Sequence, residues 1–287
     1  DQELLQSQEM LERYGAFDND EIKALIQKRI EGAKTGKRVD ALKGEIAAKA
    51  AKHLDAETRQ KIAEVTDAQI KRHGTIDKRL AIGIDKSGSL REAIEAGKMG
   101  AAALAQACVE GNTPVAYLFD SIPTEITWTA ADGDITKKSS WDRKLHMVQS
   151  QGATLPNTMV RAMIARKQIV DRIFLFTDEE ENPPVGAFAQ ELKKYEAAFG
   201  ILPDVVIVRV GPRQYDFMEK SLRALNIPVE VLPAKNIDQV SVPNLIKLAS
   251  QKSIFELVLD ILALPLPTRA EWDEANLKQA TAPVAAN

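Results

Sequence analysis

Cysteine is nearly absent from this 287-residue chain, and the single Cys108 cannot close an internal disulfide. Its place just after the alanine-rich run 101–107 is that of a buried helix residue, and a reducing, cytoplasmic compartment is the matching expectation. Histidine is scarce too: His53, His73 and His146 stand apart with no metal-ligand spacing, so surface or capping roles are expected of them. No apolar run approaches the roughly 20 residues that cross a bilayer, which leaves no membrane partner. The opening Asp1-Gln-Glu-Leu-Leu-Gln6 has neither an initiator Met nor a signal-peptide pattern, so the chain reads as a fragment or a processed product. Neither sign of charge dominates. Thirty-eight basic and 41 acidic residues leave a net −3, which supplies no global attraction to nucleic acid or anionic lipid. Neither Gly-x-Gly-x-x-Gly nor Gly-x-x-x-x-Gly-Lys-Ser/Thr occurs, so no nucleotide fingerprint is present.

What is present falls into two parts. Residues 1–76 lack proline and are rich in Ala, Glu, Lys, Gln and Arg. Apolar spacing predicts helices over 21–30, 39–53 and 56–72, with Ile22, Leu25, Ile26 and Ile30 as one stripe. From residue 77 to 264, short apolar runs alternate with helical patterns. Strands are expected over 80–84, 115–119, 125–128, 172–177, 204–210 and 229–232, the third as an antiparallel edge. Helices are expected over 92–109, 144–149, 157–166, 188–198, 217–225 and 243–262. This alternation predicts an α/β fold, a doubly wound, mostly parallel sheet with helices on both faces, preceded by a helical segment. Residues 265–287 read as a loosely docked tail. At 45% hydrophobic and 28% charged, the composition is that of a soluble globular protein.

Three expected strand-end loops carry hard oxygen ligands. The run Leu80-Ala-Ile-Gly-Ile-Asp85 ends in an aspartate, and Lys86-Ser87-Gly88-Ser89 follows before a helix. Gly152-Ala153-Thr154 precedes the helix expected at 157. Phe174-Leu-Phe-Thr177-Asp178 is a second strand ending in a carboxylate. Open α/β sheets bind ligands at the carboxyl ends of their strands. Carboxylates and hydroxyls gathered there suit Mg²⁺ (or Mn²⁺ or Ca²⁺), with a position left open for water or an incoming acid.

In this order and spacing, Asp-x-Ser-x-Ser, Gly-x-Thr and Thr-Asp resemble the metal-ion-dependent adhesion site (MIDAS) of von Willebrand factor A (vWA) domains. The resemblance runs from about residue 79 to 262. It implies Asp85, Ser87, Ser89, Thr154 and Asp178 as metal ligands, directly or through water. It also implies a non-enzymatic module whose protein partner offers an acidic side chain to the metal. Lys78-Arg-Leu-Ala-Ile-Gly-Ile-Asp85, Gly152-Ala-Thr-Leu-Pro156 and Phe174-Leu-Phe-Thr-Asp-Glu-Glu-Glu-Asn182 are most similar to the vWA domain of Ro/TROVE proteins. Those proteins bind small non-coding RNA with a ring of helical repeats. Residues 1–76 would then be the end of a larger helical domain.

Two positions depart from the family pattern. Lys86 follows the first aspartate, where an inward-pointing ammonium would weaken cation binding. Ala153 stands where many relatives have glycine, so a conformation easier for glycine is expected of it. The acidic run Glu179-Glu180-Glu181 reads as a solvated loop before Pro183-Pro184, and Trp128 and Trp141 read as packing residues. A basic excess between 23 and 52 makes Lys28, Arg29, Lys34, Lys37 and Arg38 candidate RNA contacts. Two other readings stay open at this point. One is an adaptor of an AAA+ ATPase or chelatase complex. The other is a Mg-dependent phosphatase of haloacid dehalogenase type, although that family carries Asp-x-Asp-x-Thr and Ser87 takes the place of the second aspartate.

Overall fold

The computed structural model describes residues 7–32, 56–71, 74–88, 91–211, 215–234, 241–252 and 254–264. The chain forms two compact units, Asp1–Gln251 and Lys252–Asn287. Within the first, six strands make one sheet: β1 (Leu80–Asp85), β2 (Val115–Phe119), β3 (Thr124–Glu125), β4 (Arg172–Thr177), β5 (Asp204–Val210) and β6 (Val229–Ala234). Their order is β3-β2-β1-β4-β5-β6. All pairs are parallel except β2–β3. Pro233, which has no amide to donate, sits on the edge strand β6, where that loss is tolerated.

Helices cover both faces, as expected. In chain order they are α1 (Gln8–Arg13), α2 (Asp20–Gly32), α3 (Ala56–Lys71), α4 (Arg91–Ala107), α5 (Lys138–Lys144), α6 (Asn157–Ala165), α7 (Ala187–Phe199), α8 (Phe217–Ala224) and α9 (Val242–Ser250). Because strand side chains alternate, each central strand feeds two cores. Ile82, Ile84, Phe174, Phe176, Val206 and Val208 pack with α4 and α9. Tyr117, Phe119, Ile173, Leu175 and Ile207 pack with α6, α7 and α8. The helix α4 lies close to the sheet because two of its positions have no side chain. A Cβ on Gly97 would come within 2.7 Å of Ile84, and one on Gly100 would collide with the Phe176 ring.

Several expected elements differ in detail. Of the stripe on α2, Ile26 and Ile30 are buried with Ile62 and Val65 of α3, but Ile22 and Leu25 are 45% and 60% exposed. The helix expected over 39–53 lies outside the described residues. The helix α5 forms earlier than 144–149 because Trp141 anchors it. That ring is fully buried, donates from Nε1 to the Ile135 carbonyl at 2.7 Å, and meets Trp128 edge-on at 4.9 Å. The packing roles expected of the two tryptophans hold. Strand β3 is shorter than expected and starts one residue earlier, its register set by Leu118↔Thr124.

Cys108 falls just beyond α4, half-buried, in a parallel bridge to Ile76. Its neighbour Ala107 already spends its carbonyl on the Ile76 amide, so the chain has left the helix there. The single helix expected over 243–262 is two. Gln251, with ψ 146°, is extended and ends α9. A separate helix, α10 (Ile254–Ala263), belongs to the second unit. Among the described residues no helix is long and apolar enough to cross a membrane.

Candidate metal centre

Parallel pairing of β1 and β4 brings their carboxyl ends side by side, with Ile84 opposite Phe176. The next residues out are Asp85 on one strand and Thr177 and Asp178 on the other. Asp85 is fully buried. Its Oδ2 accepts a 2.7 Å hydrogen bond from Thr177 Oγ1, and its Oδ1 accepts one of 2.9 Å from the Ser87 amide. Burial pushes the Asp85 carboxyl up to about 7, against the opposing pull of those two hydrogen bonds, and the charge of Asp178 pushes the same way. Asp178, itself buried, is also raised, chiefly by burial, although its Oδ1 accepts from the Glu180 amide at 3.0 Å. Two buried carboxylates thus share the site, and among the described residues no cation pairs with either of them.

Ser87 completes this pattern. Its side chain is buried, and its Oγ makes no hydrogen bond of ordinary geometry, although it lies near enough to Asp85 to help hold that carboxyl down. A buried hydroxyl without a partner costs about 1–3 kcal/mol, which a ligand in the site offsets. Thr154 is held at the same end of the sheet by the loop after β4. Its amide donates to Asn182 Oδ1 at 2.5 Å, and its carbonyl accepts from the Asn182 amide at 3.0 Å. The loop before it is tied to the first by the Gln151 amide, which donates to the Lys86 carbonyl at 2.7 Å. Asp85, Ser87, Thr154 and Asp178 therefore lie on three loops joined by backbone bonds. Ser89 lies outside the described residues.

Among the described residues, no three His, Cys, Asp or Glu side chains gather in a set that could hold a metal. A cation here would rest on two carboxylates and neutral hydroxyls. That donor set fits a hard divalent ion, and the unpartnered Ser87 oxygen and the uncompensated Asp85–Asp178 charge are what such an ion would satisfy.

The two departures from the family pattern resolve differently from expectation. Lys86 turns its ammonium onto the Asp120 carboxylate, and both side chains are largely buried. Ala153 does not take the left-handed conformation expected of it; Gly152 does, with φ of +87°. The acidic run is not solvated. Glu179 is fully buried at φ +65°, its carboxylate paired with Arg209 at 2.5 Å and accepting from the Glu219 amide at 3.0 Å. Glu181 is also buried and accepts from the Gly186 and Phe188 amides, at 2.7 and 2.8 Å, so it caps the start of α7. Burial raises both carboxyls. Their role is structural, because the loop turns back into the protein to reach α7.

Asp120 is the residue of this region that motif reading passed over, while Thr177 and Asn182 stand in the quoted motifs without an expected role. Asp120 directly follows the apolar strand β2, much as Asp85 ends β1, so the strand-end rule alone would have found it. Asn182 carries no such signal, since its contact with Thr154 spans 28 residues. Of the candidate RNA contacts, Lys28 and Arg29 are exposed on α2. Lys34, Lys37 and Arg38 lie outside the described residues, as do His53 and His73. His146 is exposed, its Nδ1 2.7 Å from the Arg143 carbonyl.

No protein-family model and no curated protein matches the chain. Solved structures do. The Ro (RSR) protein of Deinococcus radiodurans superposes with a TM-score of 0.60 at 14% identity, over 86% of this chain and 52% of that one. The fold is similar to that of about half of the Ro protein. The chain spans about half the length of that structure. Lower-scoring likenesses are a von Willebrand factor type A protein from Catenulispora acidiphila (TM-score 0.44, 13% identity, 61% of this chain and 42% of that one) and proximal thread matrix protein 1 of the mussel byssus with a zinc-occupied MIDAS (TM-score 0.43, 14% identity, 61% and 48%). The doubly wound, mostly parallel sheet expected from the alternating strand and helix pattern is thus the architecture that the chain adopts.

Proposed function

We propose that this chain is a non-enzymatic binding module that holds a divalent cation and, through it, an acidic side chain of a protein partner. Asp85, Ser87, Thr154 and Asp178, with Ser89, would hold the ion; Mg²⁺ suits the donor set, as do Mn²⁺ and Ca²⁺. When bound, the ion supplies an open coordination position that a carboxylate can fill. The observation that carries the reading is the buried, unpartnered Ser87 Oγ beside the two buried carboxylates. The loop neighbours fit a docking role, since Ile122 and Val185 are 70% and 54% exposed. Ile122 belongs to the loop whose Ser121 Oγ accepts from the Ala153 amide at 3.3 Å, and Val185 follows the Asn182 that grips Thr154.

A calorimetric titration of the metal-free protein with Mg²⁺, Mn²⁺ and Ca²⁺ tests this. Saturable binding by wild type that Asp85→Ala abolishes is the expected result. An Asp85→Ala protein that binds cation and partner as wild type does would exclude the site.

A second reading, a small-RNA-binding assembly, is favoured by the exposed Lys28 and Arg29 on α2 and by the fold shared with the Ro protein. Purification of tagged protein from cells, with and without EDTA, separates the readings. A protein lost with EDTA supports the metal-dependent partner, a structured small RNA supports the second reading, and an ATPase subunit supports an AAA+ adaptor role.

A further inference from the structure

Lys86 places a cation between two residues of a site that has to attract another cation. Asp120 is what makes this tolerable. Its carboxylate takes the Lys86 ammonium, with the side chains only 13% and 10% exposed. Asp120 is also fixed from three further directions. Its Oδ1 accepts from the Ile122 amide at 2.8 Å, and its carbonyl accepts from the Leu155 amide at 3.2 Å. The third is Gly152, where a Cβ would come within 3.0 Å of Asp120 Oδ2, so the absence of a side chain there is what leaves room for the carboxylate. The lysine backbone is fixed as well, by the Phe119 carbonyl at 3.0 Å and the Gln151 amide at 2.7 Å. Neither partner is free to swing away.

We propose that Asp120 is a charge-compensating residue of the cation site, paired with Lys86 so that Asp85 and Asp178 keep their net negative field. This rests on the cation-binding reading above. Removing the Asp120 charge leaves a buried, unpaired ammonium one residue from Asp85 and from Ser87. A unit charge roughly 10 Å from a divalent ion, at the effective dielectric of a protein near its surface, changes affinity by more than a hundredfold without salt, and screening over a comparable Debye length reduces this to about tenfold. Removing the Lys86 charge instead leaves an extra carboxylate and strengthens binding.

The test is a calorimetric titration with Mn²⁺ of the full 287-residue chain as wild type, Asp120→Asn, Lys86→Met and the double variant, with thermal melts to verify folding. Asp120→Asn should bind about tenfold more weakly and Lys86→Met about tenfold more tightly. The double variant should return to within about threefold of wild type. Recovery in the double variant is the signature of charge compensation; a role in folding alone would leave it as impaired as Asp120→Asn. Unchanged affinity in both single variants, or a double variant as weak as Asp120→Asn, overturns the proposal and leaves the cation site standing. Should Asp120→Asn not fold, tighter binding by Lys86→Met supports the proposal and unchanged binding overturns it. A wild-type chain that binds no Mn²⁺ overturns the cation reading and this proposal together.

Discussion

Ser87 is the residue whose burial makes least sense without a ligand. Its Oγ is shut away from water and makes no hydrogen bond of ordinary geometry, its one close polar neighbour being the Asp85 carboxylate, and a fold selected for stability alone would replace it with a methyl group. Ser87→Ala should therefore leave the metal-free protein as stable as wild type within about 0.5 kcal/mol, or more stable, by urea unfolding. The same variant should lose about tenfold or more in affinity for Mg²⁺. A large loss of stability in the metal-free state would instead make the hydroxyl structural. Glu179 and Glu181 show the opposite case. Three consecutive glutamates suggest a solvated loop, yet Arg209 and the first amides of α7 claim two of them. Nothing local announces this, because Arg209 lies 30 residues away and Gly186 is ordinary as sequence.

At the scale of elements, α4 is placed by what it omits. Gly97 and Gly100 let the helix approach β1 and β4 closely, so the loop that carries Ser87 is held between two rigid elements. Gly100→Val should destabilise the protein by roughly 3 kcal/mol, read as a lower urea midpoint with an unchanged m-value. Unchanged stability would mean that the helix can back away from Phe176 without cost. The same element scale explains where expected boundaries moved. The helix α5 begins six residues before its expected start because Trp141 needs a buried seat, and tertiary packing overrides weak local preference. The helix expected over 243–262 is interrupted because Gln251 is extended, which hydrophobic periodicity on either side does not reveal.

For the whole molecule, the site carboxylates set the pH dependence of the metal-free state. The folded Asp85 carboxyl lies at about 7 against an ordinary value near 3.8, so between those limits the folded state holds a proton that the unfolded state has released. Its contribution therefore favours the fold at low pH and is lost as pH rises through that window, on the order of 4 kcal/mol in all. Asp178, Glu179 and Glu181 are raised too and act in the same direction. Asp171, held low although burial opposes it, gains from Arg79 at 2.5 Å and acts the other way, its contribution lost only as pH falls below the ordinary carboxylate range. In EDTA the melting temperature should thus be higher at pH 5.5 than at pH 7.5. Millimolar Mg²⁺ should raise it more at pH 7.5, where Asp85 is ionised and no proton competes for the site. Equal Mg²⁺ effects at both pH values would separate Asp85 from the ion.

Apolar alternation and β-branched runs by themselves determined the strands β1, β2, β4 and β5, the layered α/β architecture and the strand ends that bear Asp85 and Asp178. These are local signals, since a strand buried on both faces has to be apolar along its whole length and its first polar residue marks the exit. Tertiary structure alone decided which polar residues meet: Thr177 with Asp85, Asn182 with Thr154, and Asp120 with Lys86. Each of these pairs joins residues 28 to 92 positions apart. Their meeting depends on sheet order and loop path, and neither is written in the residues around them.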